Sequence, residues 1–513
     1  MPDTKSASPR LLARVLGTVE RVGNALPEPA TLFAMLAVFT LLASAVAQAV
    51  GLAVQHPASG ETISAVSLLN LAGFQKIVQE TVHVFVSFHP LGVVIVCLLG
   101  IAVAEKAGLI GAAVRALVLS TPRSWLTPIV VFAGVMSNVG ADVGYVLLLP
   151  LAATIFHAVG RHPLAGLAAG FAGVSGGFSA NLLISAIDVI LGGLSTEAAR
   201  LIDPTYTVTG LANYYFIFIS TFLVTGIGTW VTHRVVEPRL GSYDGGIKPE
   251  AMVPLSAAEK RGLWFTGVFA VIATAVMVVG IVPEGGFLRN PAYPDLKMRA
   301  LPFSYLVPFL FVLGFGSGMA YGLGAKTIKS DRDVVGAMND AMGTLGAYLV
   351  LAFFAAQFIA YFNWTNLGFI FAVKGANGLR ALGLDEWPIP MMIGLVFLAA
   401  TINMIVGSAS AKWALIAPIF VPMFMLLGFS PELVQAAYRV GDSVTNIITP
   451  LMAYFPLIIT FARKYDRDTG MGTIIATMLP YSVAFAIAWT ILLIAWMLTG
   501  LPVGPSSPLY LAS

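Results

Sequence analysis

Long apolar runs separated by short polar loops recur along nearly the whole chain, and they define the expected elements. Ala30–Leu52 is long enough to cross a bilayer core as a helix, at about 1.5 Å per residue against about 30 Å. Leu91–Ala104 returns and ends at Glu105–Lys106. Ile110–Leu119 and Trp125–Phe156 are apolar but repeatedly broken by Gly and Pro. Leu211–Val236, Leu263–Val282, Phe303–Leu323, Leu345–Phe362, Pro390–Val406 and Ile474–Leu498 read as further spans. Two stretches depart from this pattern. Leu164–Leu191 sets a Gly/Ser-rich interruption between two short apolar arms, which predicts a re-entrant hairpin. Asn403–Pro456 embeds Ser408, Ser410, Lys412, Trp413, Arg439, Asp442, Ser443, Thr445 and Asn446 in sequence otherwise apolar enough for a bilayer. A charge at that depth costs about 2.5–3.5 kcal/mol on insertion scales, so it faces a cavity or a partner. Gly and Pro interrupt the helical pattern around these residues, and a second hairpin is expected near 403–428.

Basic loops orient the chain. Lys5, Arg10, Arg14 and Arg21 precede the first span, Lys326, Lys329 and Arg332 lie between later ones, and Arg463, Lys464 and Arg467 precede the last. The positive-inside rule puts all three groups in the cytoplasm. The expected organisation is a cytoplasmic segment at 1–29, a first membrane half at 30–236, a cytoplasmic loop at 237–262, a second half at 263–499 and an external tail at 500–513. The first apolar run reads as an anchor, not a cleaved signal peptide.

Composition narrows the class to an all-α polytopic membrane protein. Of 513 residues, 58% are hydrophobic and only 10% charged, where a soluble domain carries about 25% charge. A net charge of +3, scattered along the chain, does not suit nucleic-acid binding. Cys97 stands alone, which excludes an internal disulfide or a cysteine metal cluster. Six dispersed histidines form no HExxH pair, GLGAKT at Gly322–Thr327 lacks the GK of a phosphate loop, and no nucleophile–base pair is visible. The chain is therefore not read as an enzyme, and no cofactor is implied beyond a coupling ion, H⁺ or Na⁺. A passive channel would show a ring of charges or a filter repeat, and neither is visible.

An internal repeat joins the two unusual stretches. Residues 133–175 fall on 401–443 without a gap, matching Pro150 with Pro418, Tyr145 with Trp413, Asp142 with Ser410, Gly173 with Gly441 and Ser175 with Ser443. Paired discontinuous elements of this kind surround midplane sites in secondary transporters.

The chemistry concentrates in the same places. Arg439 and Asp442, three residues apart, share a helix face and read either as a self-satisfied pair or as a working site. In the second reading Arg439 recognises a carboxylate with its planar fork and Asp442 binds a cation or proton. Asp188 has no basic neighbour in sequence and reads either as a helix cap or as an ion carrier. Asn181, Ser179 and Ser185 offer neutral ligands or packing contacts. Trp413 stacks on an aromatic substrate or fills the core, and Lys412 beside it is expected to snorkel toward an edge. Ser430–Pro431–Glu432 reads as a helix start. Asn403, Gly407 and Asp442 offer oxygens for Na⁺ where the helix unwinds.

Ser179–Gly193 (SANLLISAIDVILGG), Gly407–Phe424 (GSASAKWALIAPIFVPMF) and Tyr438–Leu457 (YRVGDSVTNIITPLMAYFPL) together resemble the AbgT-type p-aminobenzoyl-glutamate transporter family. The likeness runs over nearly the whole chain, from Leu26–Ala30 to the last span. It implies a homodimer in the inner membrane, each protomer with about nine transmembrane helices and two re-entrant hairpins in an inner core and outer scaffold, similar in plan to sodium-coupled dicarboxylate carriers. It implies ion-driven transport of p-aminobenzoyl-glutamate and, in some members, sulfonamide export. Functional positions of the family fall on Asp188, Ser410, Trp413, Pro431, Arg439, Asp442 and Pro450, with a Na⁺ site near Asn403 and Asp442. With Asn181, Ser408 and Asn446 added from the residues themselves, these form the candidate site. p-Aminobenzoyl-glutamate joins an aromatic amide to two carboxylates, which a tryptophan, an arginine and short hydroxyl or amide side chains complement. The alternative is Na⁺-coupled symport of another di- or tricarboxylate.

Overall fold

The computed structural model describes residues 27–55, 60–139, 144–245, 247, 254–283, 286–289 and 306–511. The expectations for the basic N-terminal segment, for Asp142 and for part of the 237–262 loop lie outside the described residues. The first half runs α1 (Pro29–Ala49), a short antiparallel pair β1 (Ala53–Gln55) and β2 (Thr62–Ser64), α2 (Leu71–Val86), α3 (His89–Lys106), α4 (Leu109–Leu119), α5 (Leu126–Ser137), α6 (Leu149–Ala158), α7 (Pro163–Phe171), α8 (Ala186–Ala199), α9 (Tyr214–Val231) and α10 (Glu237–Leu240). The second runs α11 (Ala257–Ile281), α12 (Leu306–Ala325), α13 (Asp331–Thr344), α14 (Gly346–Trp364), α15 (Leu367–Ala381), α16 (Pro388–Asn403), α17 (Ala409–Met425), α18 (Pro431–Asn446), α19 (Phe455–Arg463) and α20 (Met471–Thr499).

Among the described residues seven helices are long and apolar enough to cross a membrane, or eight when α4 and α5, bent by 118°, count as one broken span. The expected nine exceeds this because Pro388–Asn403 and its neighbours in the repeat are apolar but short. Helix α11 leaves Trp264, Val271 and Val279 exposed along its length. Apolar side chains turned outward on that scale suit lipid, not water. Helices α2, α13 and α15 fall in segments read from sequence as loops. Their polar interruptions hide them from an apolar-run criterion, although Asn70 caps α2 by accepting from Gly73 N at 2.8 Å.

The repeat is visible in the element order. Helices α5, α6, α7, α8 and α9 of the first half correspond to α16, α17, α18, α19 and α20 of the second. The two halves then exchange elements: α8 packs on α17, and α19 touches α6. Gly173 and Gly441, matched by the repeat, mark the same approach in each copy. A Cβ on Gly173 would run into the Val131 carbonyl of α5, and one on Gly441 into the Val396 carbonyl of α16. Only glycine lets these backbones meet.

Both hairpin expectations need revision. The Gly/Ser-rich stretch does unwind between Gly177 and Ser185, but the arms beside it, α7 and α8, do not pack along each other. Helix α7 packs instead on α6 across the turn at Gly160–His162. Likewise 403–428 supplies one arm, α17, after an unwound stretch at 404–408, and the chain returns through 426–430 into α18. The glycine cluster marked the break correctly. The tight turns beside it, near Gly160 and Gly428 at φ +81° and +87°, carried the weaker signal.

Candidate transport site

Helix α18 organises the polar centre. From Pro431 to Val444 every residue is buried, although Glu432, Gln435, Arg439, Asp442 and Ser443 are among them. A polar helix without a wet face must find its partners on neighbouring elements. It begins as expected: Ser430 Oγ accepts from Leu433 N at 3.1 Å, with Pro431 in the first turn.

Arg439 and Asp442 do not pair with each other. Arg439 Nη1 lies 2.6 Å from Asp188 Oδ1 on α8, and Asp442 pairs with Lys412 on α17. Their spacing does put them on one face, but α8 and α17 each offer one of the two charges its own opposite. The Arg439–Asp188 approach is oblique, and Arg439 Nε has no hydrogen-bond partner. Asp188 takes the helix-cap reading and adds an ion pair to it. Its Oδ2 accepts from Ser185 N and Oγ at 2.7 and 2.8 Å, capping α8, while Oδ1 meets the guanidinium.

Lys412 does not snorkel. It is 0% exposed, and its ammonium meets both Asp442 Oδ1 and Asn403 Oδ1. Asn403 in turn donates to Asp442 O at 2.7 Å, and to Thr445 Oγ1 and Asn446 Oδ1 at 2.8 Å each. Two of the residues expected to offer oxygens to Na⁺, Asn403 and Asp442, thus both turn them to the Lys412 ammonium, while Gly407 lies beside Leu451. Among the described residues no cluster of three His, Cys, Asp or Glu suits a metal ion.

Trp413 is also fully buried, so no ring reaches it in this conformation. It stacks on Tyr438 with centroids 4.4 Å apart and donates from Nε1 to Ser195 Oγ at 2.9 Å. Its repeat counterpart Tyr145 stacks on Tyr454 at 4.3 Å. Asn181 is spent on the unwound backbone, donating to Val135 O at 3.3 Å and accepting from Leu183 N at 3.0 Å. Ser179 N donates to Ser443 Oγ at 3.0 Å, which joins the first break to α18. Ser408 is exposed and Ser410 half-buried, their hydroxyls 3.4 Å apart, beside the unwound 404–408 stretch. Pro450 lies in the unwound link between α18 and α19. A cavity of about 990 Å³ lies on the far side of Leu182–Ile184, lined by apolar side chains such as Met136, Leu313 and Phe309 and by none of the paired charges.

Residues 14–511 match the AbgT putative transporter family. The chain belongs to the AbgT family. The p-aminobenzoyl-glutamate transport protein of Escherichia coli (strain K12) is 35% identical over 495 residues, 96% of each chain. Among solved structures, MtrF of Neisseria gonorrhoeae, described as illuminating a class of antimetabolite efflux pumps, superposes with a TM-score of 0.90 at 48% identity, covering 96% of this chain and all of that one. The YdaH transporter of Alcanivorax borkumensis, described as having an unusual topology, superposes with a TM-score of 0.88 at 44% identity, covering 93% of this chain and all of that one. This AbgT-family chain is a multi-pass membrane transporter and not an enzyme.

Sequence reasoning missed Ser195, Asn213, Gln435 and Tyr438, which hold the site residues in place. The first two lie in apolar or turn-rich sequence with nothing to single them out. Gln435 was findable: positions 432, 435, 439, 442 and 446 form one polar stripe at helical spacing.

Proposed function

We propose that the chain is an ion-gradient-coupled secondary transporter of p-aminobenzoyl-glutamate and related aromatic acids, sulfonamides among them. The observation that carries this reading is Arg439: buried, held on one side by Asp188, and with its Nε edge unmatched. A carboxylate is the natural complement of that edge. The Trp413–Tyr438 stack, built on the residue next to Arg439, supplies an aromatic surface once it opens.

Charge neutrality supports coupling. Two buried cations, Lys412 and Arg439, already match two buried anions, Asp442 and Asp188. An entering dicarboxylate adds negative charge to a matched set in low dielectric, so a co-bound H⁺ or Na⁺ is needed to offset it. Asp442, beside Asn403, Thr445 and Asn446, is the acceptor of that ion in this reading. The unwound stretches at 404–408 and 447–454 touch through Gly407 and Leu451, and they are the points about which α17 and α18 rearrange to expose the site. The protein works as a homodimer in an inner membrane, N-terminus cytoplasmic and C-terminus outside.

Purified protein in liposomes, given radiolabelled p-aminobenzoyl-glutamate under pH and Na⁺ gradients imposed separately, tests this. Flux that follows one gradient is the expected result, and its direction gives import or export. Flux indifferent to both gradients overturns the coupling. Competition by succinate or citrate, with no p-aminobenzoyl-glutamate flux, overturns the substrate in favour of another carboxylate.

A further inference from the structure

The polar stripe of α18 carries one more acid, and among the described residues no cation meets it. Glu432 is 4% exposed, and it lies within ion-pair distance of no described Lys, Arg or His. Its Oε2 accepts instead from the Tyr206 hydroxyl at 2.9 Å. Tyr206 is half-buried in the connection between α8 and α9, and its N–H donates to the carbonyl of Asp203, also half-buried, at 3.0 Å.

The charged surroundings are few. The connection contributes Tyr206 and Asp203. Helix α8 ends in Arg200 and Glu197, which lie 3.4 Å apart as their own pair. Arg380 of α15 is held by Leu426 O at 2.6 Å. The tail that bridges Phe429 through Tyr510 carries no charged side chain. On α18 itself Arg439 is committed to Asp188. Asp188 and Asp442, the other buried acids of the polar centre, each have a cation, and Glu432 has a phenol.

A chain of hydrogen bonds leads from Glu432 to the transport site, every donor pointing the same way. Trp413 Nε1 donates to Ser195 Oγ at 2.9 Å, and Ser195 to Gln435 Oε1 at 2.6 Å. Gln435 Nε2 donates to Asn213 Oδ1 at 2.9 Å, and Asn213 Nδ2 to the main-chain carbonyl of Glu432 at 2.8 Å. All four intervening or terminal side chains, Trp413, Ser195, Gln435 and Asn213, are buried. Such a polarised chain shifts as a unit when one end moves.

We propose that Glu432 is a second proton-binding site, and that its occupancy is transmitted to the Trp413–Tyr438 stack through Asn213, Gln435 and Ser195. This rests on the transport reading above for its role, but not for its test. Tyr206 gives its hydroxyl proton to Glu432 Oε2 while its phenol oxygen takes one from a hydronium ion on its exposed side, leaving a neutral phenol, a neutral carboxylic acid and a water molecule. Tyr206 then no longer faces a charged acceptor, and its hold on the first turn of α18 weakens. The Asn213 end of the chain moves with that turn, and the Trp413 end follows.

Infrared difference spectra of purified full-length protein between acid and alkaline pH read the proton directly. The expected result is a carbonyl band of a buried carboxylic acid that appears on acidification and is lost in Glu432→Gln. Trp413 emission, taken as wild type minus Trp413→Phe, shifts with the same pH midpoint, and the shift is lost in Glu432→Gln. Acid-induced carbonyl intensity that is undiminished in Glu432→Gln, or an emission shift that survives there, overturns the proposal; a residual band from another buried acid, such as Asp442, does not. If Glu432→Gln does not fold, Tyr206→Phe decides: a displaced midpoint supports the proposal and an unchanged one overturns it. No substrate enters these readouts, so their result stands whether or not the protein carries p-aminobenzoyl-glutamate.

Discussion

Removing one member of a buried ion pair leaves its partner charged and unpaired, at about 3–5 kcal/mol, whereas removing both is often nearly neutral. Arg439→Ala therefore destabilises the protein as well as the site, because Asp188 has no other cation among the described residues. The separable experiment is a cycle of Asp188→Asn, Arg439→Gln and the double variant, with melting in detergent beside flux. The single variants are expected to melt early and the double variant near wild type, while flux stays lost in all three. A double variant that transports normally would remove Arg439 from the substrate's path. The same logic applies to Lys412→Met and Asp442→Asn. At this scale the residues were legible from sequence because intramembrane charge is costly and conspicuous. Their partners were not: Asp188 and Arg439 lie on different halves of the chain, and local spacing favoured Asp442 for Arg439 instead. Trp413 announced itself as an aromatic near polar residues, but nothing in sequence says that Tyr438 already covers it.

Among elements, the crossings of α5 with the helical segment Ala172–Gly176 that continues α7, and of α16 with α18, depend on two glycines. Gly173→Ala and Gly441→Ala each drive a Cβ into a main-chain carbonyl, which a backbone shift must relieve at about 1–3 kcal/mol. Gly226→Ala in α9 and Gly267→Ala in α11 meet nothing within 4 Å and should be neutral, or stabilising by up to about 1 kcal/mol. Melting temperatures of the four variants check the contrast. Equal behaviour of all four would mean that the crossings tolerate a methyl. The spans themselves were legible from apolar run length. The hairpin assignments were off because an unwound stretch and a tight turn look alike in sequence: both are Gly-rich and lie between short arms. Only packing tells which arms lie together, and here it joins α6 to α7.

For the whole molecule, the C-terminal tail is part of the core's closure. Leu509 O accepts from Ser430 N at 3.0 Å, Leu511 N donates to Gly428 O at 2.9 Å, and Val503 O accepts from Phe216 N at 3.1 Å. The tail thus ties the turn before α18 to the start of α9. Truncation after Gly500 should lower the melting temperature and the flux together, and a truncated protein that matches wild type in both would show the tail to be dispensable. From sequence this segment was only an uncharged appendage, because a strand-like bridge of single residues has no periodicity to read.

The exchange of elements between halves also bears on how the protein is made. Asp188 leaves the ribosome about 250 residues before Arg439 does, and at roughly 5–20 residues per second that is an interval of about 12–50 s. Throughout it, α8 carries a carboxylate with no guanidinium to meet, and α17, the surface on which it will rest, does not yet exist. The first half therefore cannot complete its own charge pairing, and α8 reaches its final packing only once most of the second half has been made. Chains stalled between the halves are the ones that quality-control proteases should remove first.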